Sequence, residues 1–303
     1  MGRRVVRWGL GAVAALLLAA CAQQWRLSTG DAPPAATAPD ALRVATLNVH
    51  YIDMRAPDGP WSVAGWEARR GPLDALVKEM DADIVAFQEM ESFAGGDDDS
   101  VNLARSFLLA QNPGYRAAAT GDWRNFPSTQ PVFYRPDRLT LADQGWFFFS
   151  DTPDQIYSRT FDGSWPAFAS WAEFETRRGQ RFRVVNVHLE YRSASNRRLS
   201  AALIRDRIAP LVAGGMPVIL AGDLNALHGW ATMDLLEEAG LRFPRVPGAT
   251  WHMNHGLHLF GAIDHIGLSP DVALAAGPFV LQRKRAGDWP TDHHPVIADL
   301  LLP

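Results

Sequence analysis

Short, solidly apolar runs that end in acidic, amide or imidazole side chains constrain this chain more than any other feature. Val218-Ile219-Leu220-Ala221 leads into Gly222-Asp223-Leu224-Asn225, where the glycine permits a tight backbone turn, and Val184-Val185 into Asn186-Val187-His188. Similar polar islands occur at Leu47-Asn48, at Gln88-Glu89 and at Thr291-Asp292-His293-His294-Pro295, while Ile263-Asp264-His265-Ile266 lies inside an apolar stretch. A run that is apolar at every position leaves no face for water, so it predicts a strand covered on both sides. Asn, Glu, Asp and His are poor strand formers and costly to bury without partners or a metal. Their recurrence at strand ends predicts one polar site assembled from the whole chain.

The strand pattern is expected over residues 43–49, 83–87, 131–135, 171–176, 181–189, 217–221, 263–268 and 295–301. Helical spacing is expected over 66–80, 101–110, 195–212 and 230–239. In 195–212, Leu199, Leu203, Ile204, Ile208 and Leu211 recur at helical spacing, and Ser195 or Asn196 can cap the start. Strands and helices mix without strict alternation. Two packed sheets with helices outside fit that order.

The N-terminus reads as a targeting segment. Arg3, Arg4 and Arg7 precede an apolar run from Leu10 to Ala20 that is too short to span a bilayer as a stable helix. It ends in Leu18-Ala19-Ala20-Cys21, which resembles a bacterial lipoprotein signal with Cys21 as the lipidated residue. An ordinary secretory peptide cut nearby, or an uncleaved anchor, is the alternative. Ala22 follows where an Asp would signal inner-membrane retention, which favours the outer membrane. The expected organisation is a signal over 1–20, a flexible tether over 21–41 rich in Ala and Pro, and one folded, monomeric domain over 42–303. Cys21 is the only cysteine, so no intrachain disulfide and no thiolate zinc cluster can form. The chain carries 29 Lys and Arg against 33 Asp and Glu, and its first 20 residues hold three arginines and no acid. The remainder is therefore acidic, which argues against broad adhesion to a polyanion.

The polar islands contain a hard-cation inventory. Mg²⁺ or Mn²⁺ takes oxygen ligands, and Glu89, Asp292 and Asn48 supply two carboxylates and an amide oxygen. His188 and His293 can donate to phosphate oxygens or move protons near neutral pH. On an extended segment, residues i and i+2 face the same way, so Asp223 and Asn225 can share one pocket.

Taken in order, Thr46-Leu47-Asn48, 83–89, Asn186-Val187-His188, Gly222-Asp223-Leu224-Asn225, Ile263-Asp264-His265-Ile266 and Thr291-Asp292-His293-His294-Pro295 carry a resemblance. The chain resembles the endonuclease/exonuclease/phosphatase superfamily, the DNase I-like fold, over about residues 42–303. The resemblance implies a four-layer α/β sandwich with the site at one edge of two packed sheets. It implies that Glu89 binds the metal, with Asn48 beside it and Asp292 contributing directly or through water. His188 and Asn225 would hold phosphate oxygens. Asp223 would orient or deprotonate the attacking water. His293 would contact the scissile phosphate as acid, base or electrostatic clamp, and Asp264 would orient and charge it. Whether Asp223 or His293 is the base stays open.

The expected activity is metal-dependent hydrolysis of a phosphodiester or phosphomonoester, on a nucleic acid, a lipid headgroup or a small diester. The rival reading is a noncatalytic envelope lipoprotein that uses the fold for binding. Gln88 is expected to brace Glu89, and His294 to be structural. The run Trp251 to His258, with three histidines, fits neither a helical zinc pair nor a finger and reads as a loop flanking the pocket. Arg192, Arg197 and Arg198 read equally as a phosphate patch or a solvated helix start, and Asp97-Asp98-Asp99 as a solvated loop.

Overall fold

The structure is a computed structural model, and it describes residues 2–29, 35, 38–94, 101–162 and 165–303. In chain order its elements are α1 (Gly2–Leu27), β1 (Leu42–Asn48), β2 (Ile52–Asp53), α2 (Val63–Met80), β3 (Ile84–Gln88), β4 (Ser92–Phe93), α3 (Leu103–Gln111), β5 (Arg116–Ala118), β6 (Val132–Tyr134), β7 (Leu139–Phe148), β8 (Phe168–Thr176), β9 (Arg181–His188), α4 (Ala194–Ala213), β10 (Val218–Asp223), α5 (Ala231–Glu237), β11 (Asp264–Leu268), β12 (Ala273–Val280) and β13 (Val296–Leu301). The run Asp97-Asp98-Asp99 lies outside the described residues.

A six-stranded sheet has the order β12-β13-β1-β3-β6-β5, and a five-stranded sheet the order β11-β10-β9-β8-β7. Both are mixed: β1 runs parallel to β3 and antiparallel to β13, and β10 runs parallel to β9 and antiparallel to β11. Alternation explains how they pack. Val44, Ile84, Ala86, Val296 and Ala298 of the first sheet meet Phe174, Val184, Ile219, Ala221 and Ile266 of the second. The residues between them face outward: Ala45, Leu47, Val85 and Phe87 lie under Leu73, Leu76 and Val77 of α2 and Leu108 of α3. On the far side, Val185, Val187, Val218 and Leu220 lie under Ile204 and Ile208 of α4 and Met233 and Leu236 of α5. Both faces of the inner strands are therefore apolar, as the runs require, and the result is the expected four-layer α/β sandwich.

The strands that the sequence pattern misses are mostly edges. β5 and β12 flank the first sheet and β7 flanks the second. An edge strand need not be apolar throughout, and β12 contains Gly277-Pro278, which reads as a break. The cap of α4 is also displaced: Ser193 Oγ accepts from the Asn196 amide at 3.2 Å, so neither Ser195 nor Asn196 is the cap. Leu199 points to solvent, unlike its neighbours on the apolar stripe.

Gly222 was expected to permit a turn, but it lies inside β10. A Cβ there would sit 1.9 Å from the Val187 carbonyl oxygen. The glycine lets β10 approach β9 beside Asp223 and His188. Because the obstacle is backbone, Gly222→Ala is expected to destabilise the fold by about 3 kcal/mol. A lower urea midpoint at unchanged slope checks this; a parental midpoint overturns it.

The N-terminal segment differs from the tether reading. Helix α1 continues through Cys21 to Leu27, and residues 23–29 hydrogen-bond to the loops around Gly256 and Gln282. Helical continuity past Cys21 is local, with Ala22, Gln23 and Gln24 all compatible with it. The docking involves residues more than 200 positions away, which no linker composition reveals. Among the described residues no helix is long and apolar enough to cross a membrane.

Candidate active site

Strand register builds the site. In the second sheet, Asp223 pairs with His188 on one side and Asp264 on the other, so the three side chains stand in one row. In the first sheet Asn48 pairs with Gln88, which puts Glu89 just beyond the same edge. The two rows meet across the sandwich. Asn48 Nδ2 donates to Glu89 Oε1 at 3.0 Å and to Asp223 Oδ2 at 3.3 Å. His188 Nε2 lies 3.8 Å from Glu89 Oε1 and 3.6 Å from Asp223 Oδ2.

The Thr291–His294 segment closes the ring. Thr291 Oγ1 donates to the Asn48 carbonyl at 2.9 Å, and Asp292 follows it. His293 Nδ1 bonds Asp264 Oδ2 at 2.9 Å, and its Nε2 reaches to 3.8 Å from Asp223 Oδ2. Asn48, Glu89, His188, Asp223, Asp264, Asp292 and His293 therefore converge at one edge. Asn225 stands nearby in another posture. Its φ of 45° ends the extended run, its amide N–H donates to Asp223 Oδ1, and its Nδ2 donates to the Leu189 carbonyl at 2.8 Å. The i, i+2 expectation fails there because the chain leaves β10 at Asp223.

Gln88 does not touch the Glu89 side chain. Its Nε2 donates to Asn186 Oδ1 at 2.7 Å, and Asn186 Nδ2 donates to the Phe87 carbonyl. This buried amide pair ties the two sheets together behind the site, so the brace acts through the sheets. Glu89 itself has a φ of 54° and His50 one of 61°. A non-glycine residue in this region costs about 1–3 kcal/mol and persists where surroundings enforce it.

His50 and Arg69 are functional neighbours that sequence reasoning missed. The His50 amide donates to Asn48 Oδ1 at 3.0 Å, and the buried Arg69 guanidinium donates to the carbonyls of Val49 and His50. A signal for Arg69 existed: it sits on the buried stripe of α2 with Trp66, Leu73, Leu76, Val77 and Met80, where a cation needs a reason. Arg197 resolves to structure, since it is buried and donates to the Glu190 and Tyr191 carbonyls. His294 is buried with its Nε2 3.0 Å from His258 Nε2, and the 251–258 loop borders the site through the Trp251–His293 pairing.

Electrostatics follow from burial and neighbours. Burial, reinforced by Asp264, pushes the Asp223 carboxyl up to about 6 against the opposing pull of His293 and His188. Burial pulls His293 down, but Asp264, with Asp223 and Asp292, outweighs it and holds the imidazole well above its usual range. Burial raises half-buried Asp292, yet His293, His50 and His252 bring it below the ordinary carboxylate value. Among the described residues no Lys or Arg forms an ion pair with Glu89, Asp223, Asp264 or Asp292. Four carboxylates whose partners are histidines, Asn48, Trp251, Thr291 and backbone amides, with no paired Lys or Arg among the described residues, leave room for a cation. Asp223, Asp264 and His293 also offer ligand atoms within 4.8 Å of one another. His293 Nδ1 is already committed to Asp264 there.

Tyr51, Trp61 and Phe93 form an aromatic platform at the rim. The Tyr51 amide donates to Glu89 Oε2 at 3.3 Å, its ring lies over Trp61 with centroids 6.3 Å apart, and Trp61 is exposed.

The model of the Endonuclease/Exonuclease/phosphatase family matches residues 45–293, from β1 to His293. The chain belongs to this family. Endonuclease/exonuclease/phosphatase proteins of solved structure share its fold. One such family protein from Bacteroides thetaiotaomicron has a TM-score of 0.68 and 25% identity, over 87% of this chain and 98% of that one. A mannosyl-6-phosphatase from Bacteroides thetaiotaomicron VPI-5482 has a TM-score of 0.66 and 25% identity, over 86% and 100%. The human Nocturnin catalytic domain with bound sulfate anion, at 16% identity, a TM-score of 0.59 and coverage of 87% and 94%, shares the fold alone. No curated protein matches the sequence. Family and fold together support a phosphoesterase.

Proposed function

We propose that the chain is a divalent-metal-dependent phosphoesterase that hydrolyses a small phosphomonoester or phosphodiester by in-line attack of water. The observation that carries this reading is the convergence of Glu89, Asp292, Asn48, His188, Asp223 and the Asp264–His293 pair at one edge. Glu89 and Asp292, with Asn48 beside them, would hold Mg²⁺ or Mn²⁺. A bound ion of that kind supplies charge to the phosphoryl oxygens and lowers the pKa of coordinated water.

The protein's own groups divide the remaining work. Asp264 holds His293 by Nδ1, so Nε2 faces the cluster and can donate to a phosphoryl or leaving oxygen. Asp223, raised toward neutrality by burial, orients the attacking water and accepts its proton. His188 neutralises charge between Glu89 and Asp223 when it is protonated and faces the phosphate beside them. Asn225 holds a phosphate oxygen only by swinging its amide away from Leu189, so its part is smaller than that of His188. The Tyr51–Trp61 platform beside Glu89 supports a substrate with a ring next to the phosphate, a sugar or a base, as stacking surfaces do.

The envelope reading belongs to the same proposal: Cys21 carries lipid and the domain works outside the cytoplasm, on the outer membrane. Two acyl chains at about 0.8 kcal/mol per buried CH₂ would anchor it firmly. Cys21→Ser is expected to move the protein from the membrane fraction to the soluble one; continued lipid labelling overturns the anchor.

Bis-p-nitrophenyl phosphate and p-nitrophenyl phosphate, each with Mg²⁺ or Mn²⁺, test the chemistry. Chelation by EDTA is expected to lower turnover by about 10²–10³-fold or more, and undiminished activity in chelator sinks the metal role. A panel of sugar phosphates, nucleic acids, phosphatidylinositol phosphates and sphingomyelin at matched metal then ranks substrates. A preference for esters without any ring removes the platform argument.

A further inference from the structure

The segment between Cys21 and the folded domain is built into the support of the site. Gln24 uses both ends of its amide on one loop: Nε2 donates to the Gly256 carbonyl at 3.0 Å, and Oε1 accepts from the His258 amide at 2.6 Å. The Leu27 carbonyl accepts from the Ala249 amide at 3.0 Å and from Gln282 Nε2 at 3.1 Å. Gln282 also donates to the Ala249 carbonyl and accepts from the Thr29 amide. Residues 249–258 are thus gripped at both ends by 24–29.

That loop in turn holds the catalytic edge. The Thr250 carbonyl accepts from the His294 amide, and Thr250 Oγ1 accepts from the amides of Ile263 and Asp264 at 2.9 and 3.2 Å. Trp251 pairs with His293, and the His252 amide donates to the Asp292 carbonyl. A side-chain chain runs in parallel: Ser28 Oγ bonds His258 Nδ1 at 2.8 Å, and His258 Nε2 bonds His294 Nε2 at 3.0 Å. A neutral imidazole has one N–H and one acceptor nitrogen. The Ser28 hydroxyl proton goes to the Gln24 carbonyl at 2.7 Å, so Ser28 Oγ accepts from His258 Nδ1–H, which leaves His258 Nε2 to accept from His294 Nε2–H, next to His293.

We propose that Gln24–Thr29 is a strap whose grip on the 249–258 loop positions His293 and Asp264 for turnover. Gln24 and Ser28 are its positioning residues. The inference rests on the reading of His293 and Asp264 as the working pair. It also ties the anchor to the chemistry: Cys21 lies three helical residues before Gln24, about 4.5 Å of rise, so a lipid there would hold the site close to the surface that carries it.

The test uses the full chain with Gln24→Ala/Ser28→Ala, Ser28→Ala alone and Ser28→Thr. In the double variant kcat is expected to fall about ten-fold, as small misplacements of reacting groups do, with KM within two-fold of the parent. Ser28→Thr keeps the hydroxyl and is expected to keep kcat. The His293 Nδ1–H proton, bonded to Asp264, is read by NMR in the same samples and is expected to shift in the double variant. A parental kcat together with an unshifted proton overturns the strap. So does a Ser28→Thr defect as large as that of Ser28→Ala, or a KM rise with constant kcat. If the double variant fails to fold, Ser28→Ala carries the same comparison. If the parent shows no phosphoesterase activity, the proposed function fails by itself. The proton signal then decides the strap alone: shifted supports it, unshifted overturns it.

Discussion

His293→Ala is expected to lower kcat on bis-p-nitrophenyl phosphate by about 10³–10⁴-fold, the scale for removing a member of a carboxylate–imidazole pair. The imidazole is hydrogen-bonded to Asp264 at 2.9 Å and lies 3.8 Å from Asp223, whereas His188, the other imidazole of the cluster, comes no nearer than 3.6 Å to its carboxylates. Alanine also leaves Asp264 fully buried with no imidazole, and its Oδ1 already has no partner. An unpaired buried carboxylate costs about 3–5 kcal/mol unless it takes up a proton. Adding Asp264→Asn to His293→Ala is therefore expected to restore stability without restoring activity. The rate loss of the double variant should match that of His293→Ala, because the pair acts as a unit. Steady-state kinetics and urea denaturation of the parent, His293→Ala, Asp264→Asn and the double variant check this. Near-parental turnover in His293→Ala, or fully additive rate losses, would remove the pair from the centre of the chemistry.

Glu89→Gln is expected to weaken Mn²⁺ binding by about 10²-fold, measured by titration calorimetry on metal-free protein, which needs no turnover. Gln keeps an oxygen that accepts from Asn48 Nδ2, so the shape of the edge survives. What is lost is one negative charge from a group of carboxylates that forms no ion pair with Lys or Arg among the described residues, buried Arg69 attracting Glu89 and Asp292 only from a distance. Removing it relieves repulsion in the metal-free state. The variant should therefore melt at the parental temperature or above while binding metal poorly, the usual trade at a functional site. Unchanged Mn²⁺ affinity would exclude Glu89 from the metal's ligands.

The strands that are apolar on both faces were legible, β11 at the edge of the second sheet among them. β1, β3, β9, β10, β11 and β13 coincide with the expected runs to within about two residues, the ordinary scatter of boundaries. β7 was not legible because it mixes polar and apolar positions, β5 because it is three residues long, and β12 because Gly277-Pro278 reads as a break. Of the polar islands, Asp223, Asp264, His188 and His293 meet as a group, and Asn48 and Glu89 join them from the other sheet. Asn225 departs from its expected posture because the strand period stops one residue before it would have mattered. Gly222 carried a turn-like signal, yet its reason is the Val187 carbonyl on a neighbouring strand.

Local patterning was enough to name the chemical groups and the strands that bear them. Apolar runs, alternation and polar breaks depend on neighbours a few residues apart, and those are written in the chain. Distances between groups are not local. That Asp223 falls level with His188 and Asp264, that Asn48 reaches across to it from the other sheet, and that Gln24 and Ser28 grip a loop more than 220 residues away depend on which strands lie side by side. Packing of two sheets settles that, and the loops joining them place no such constraint on sequence.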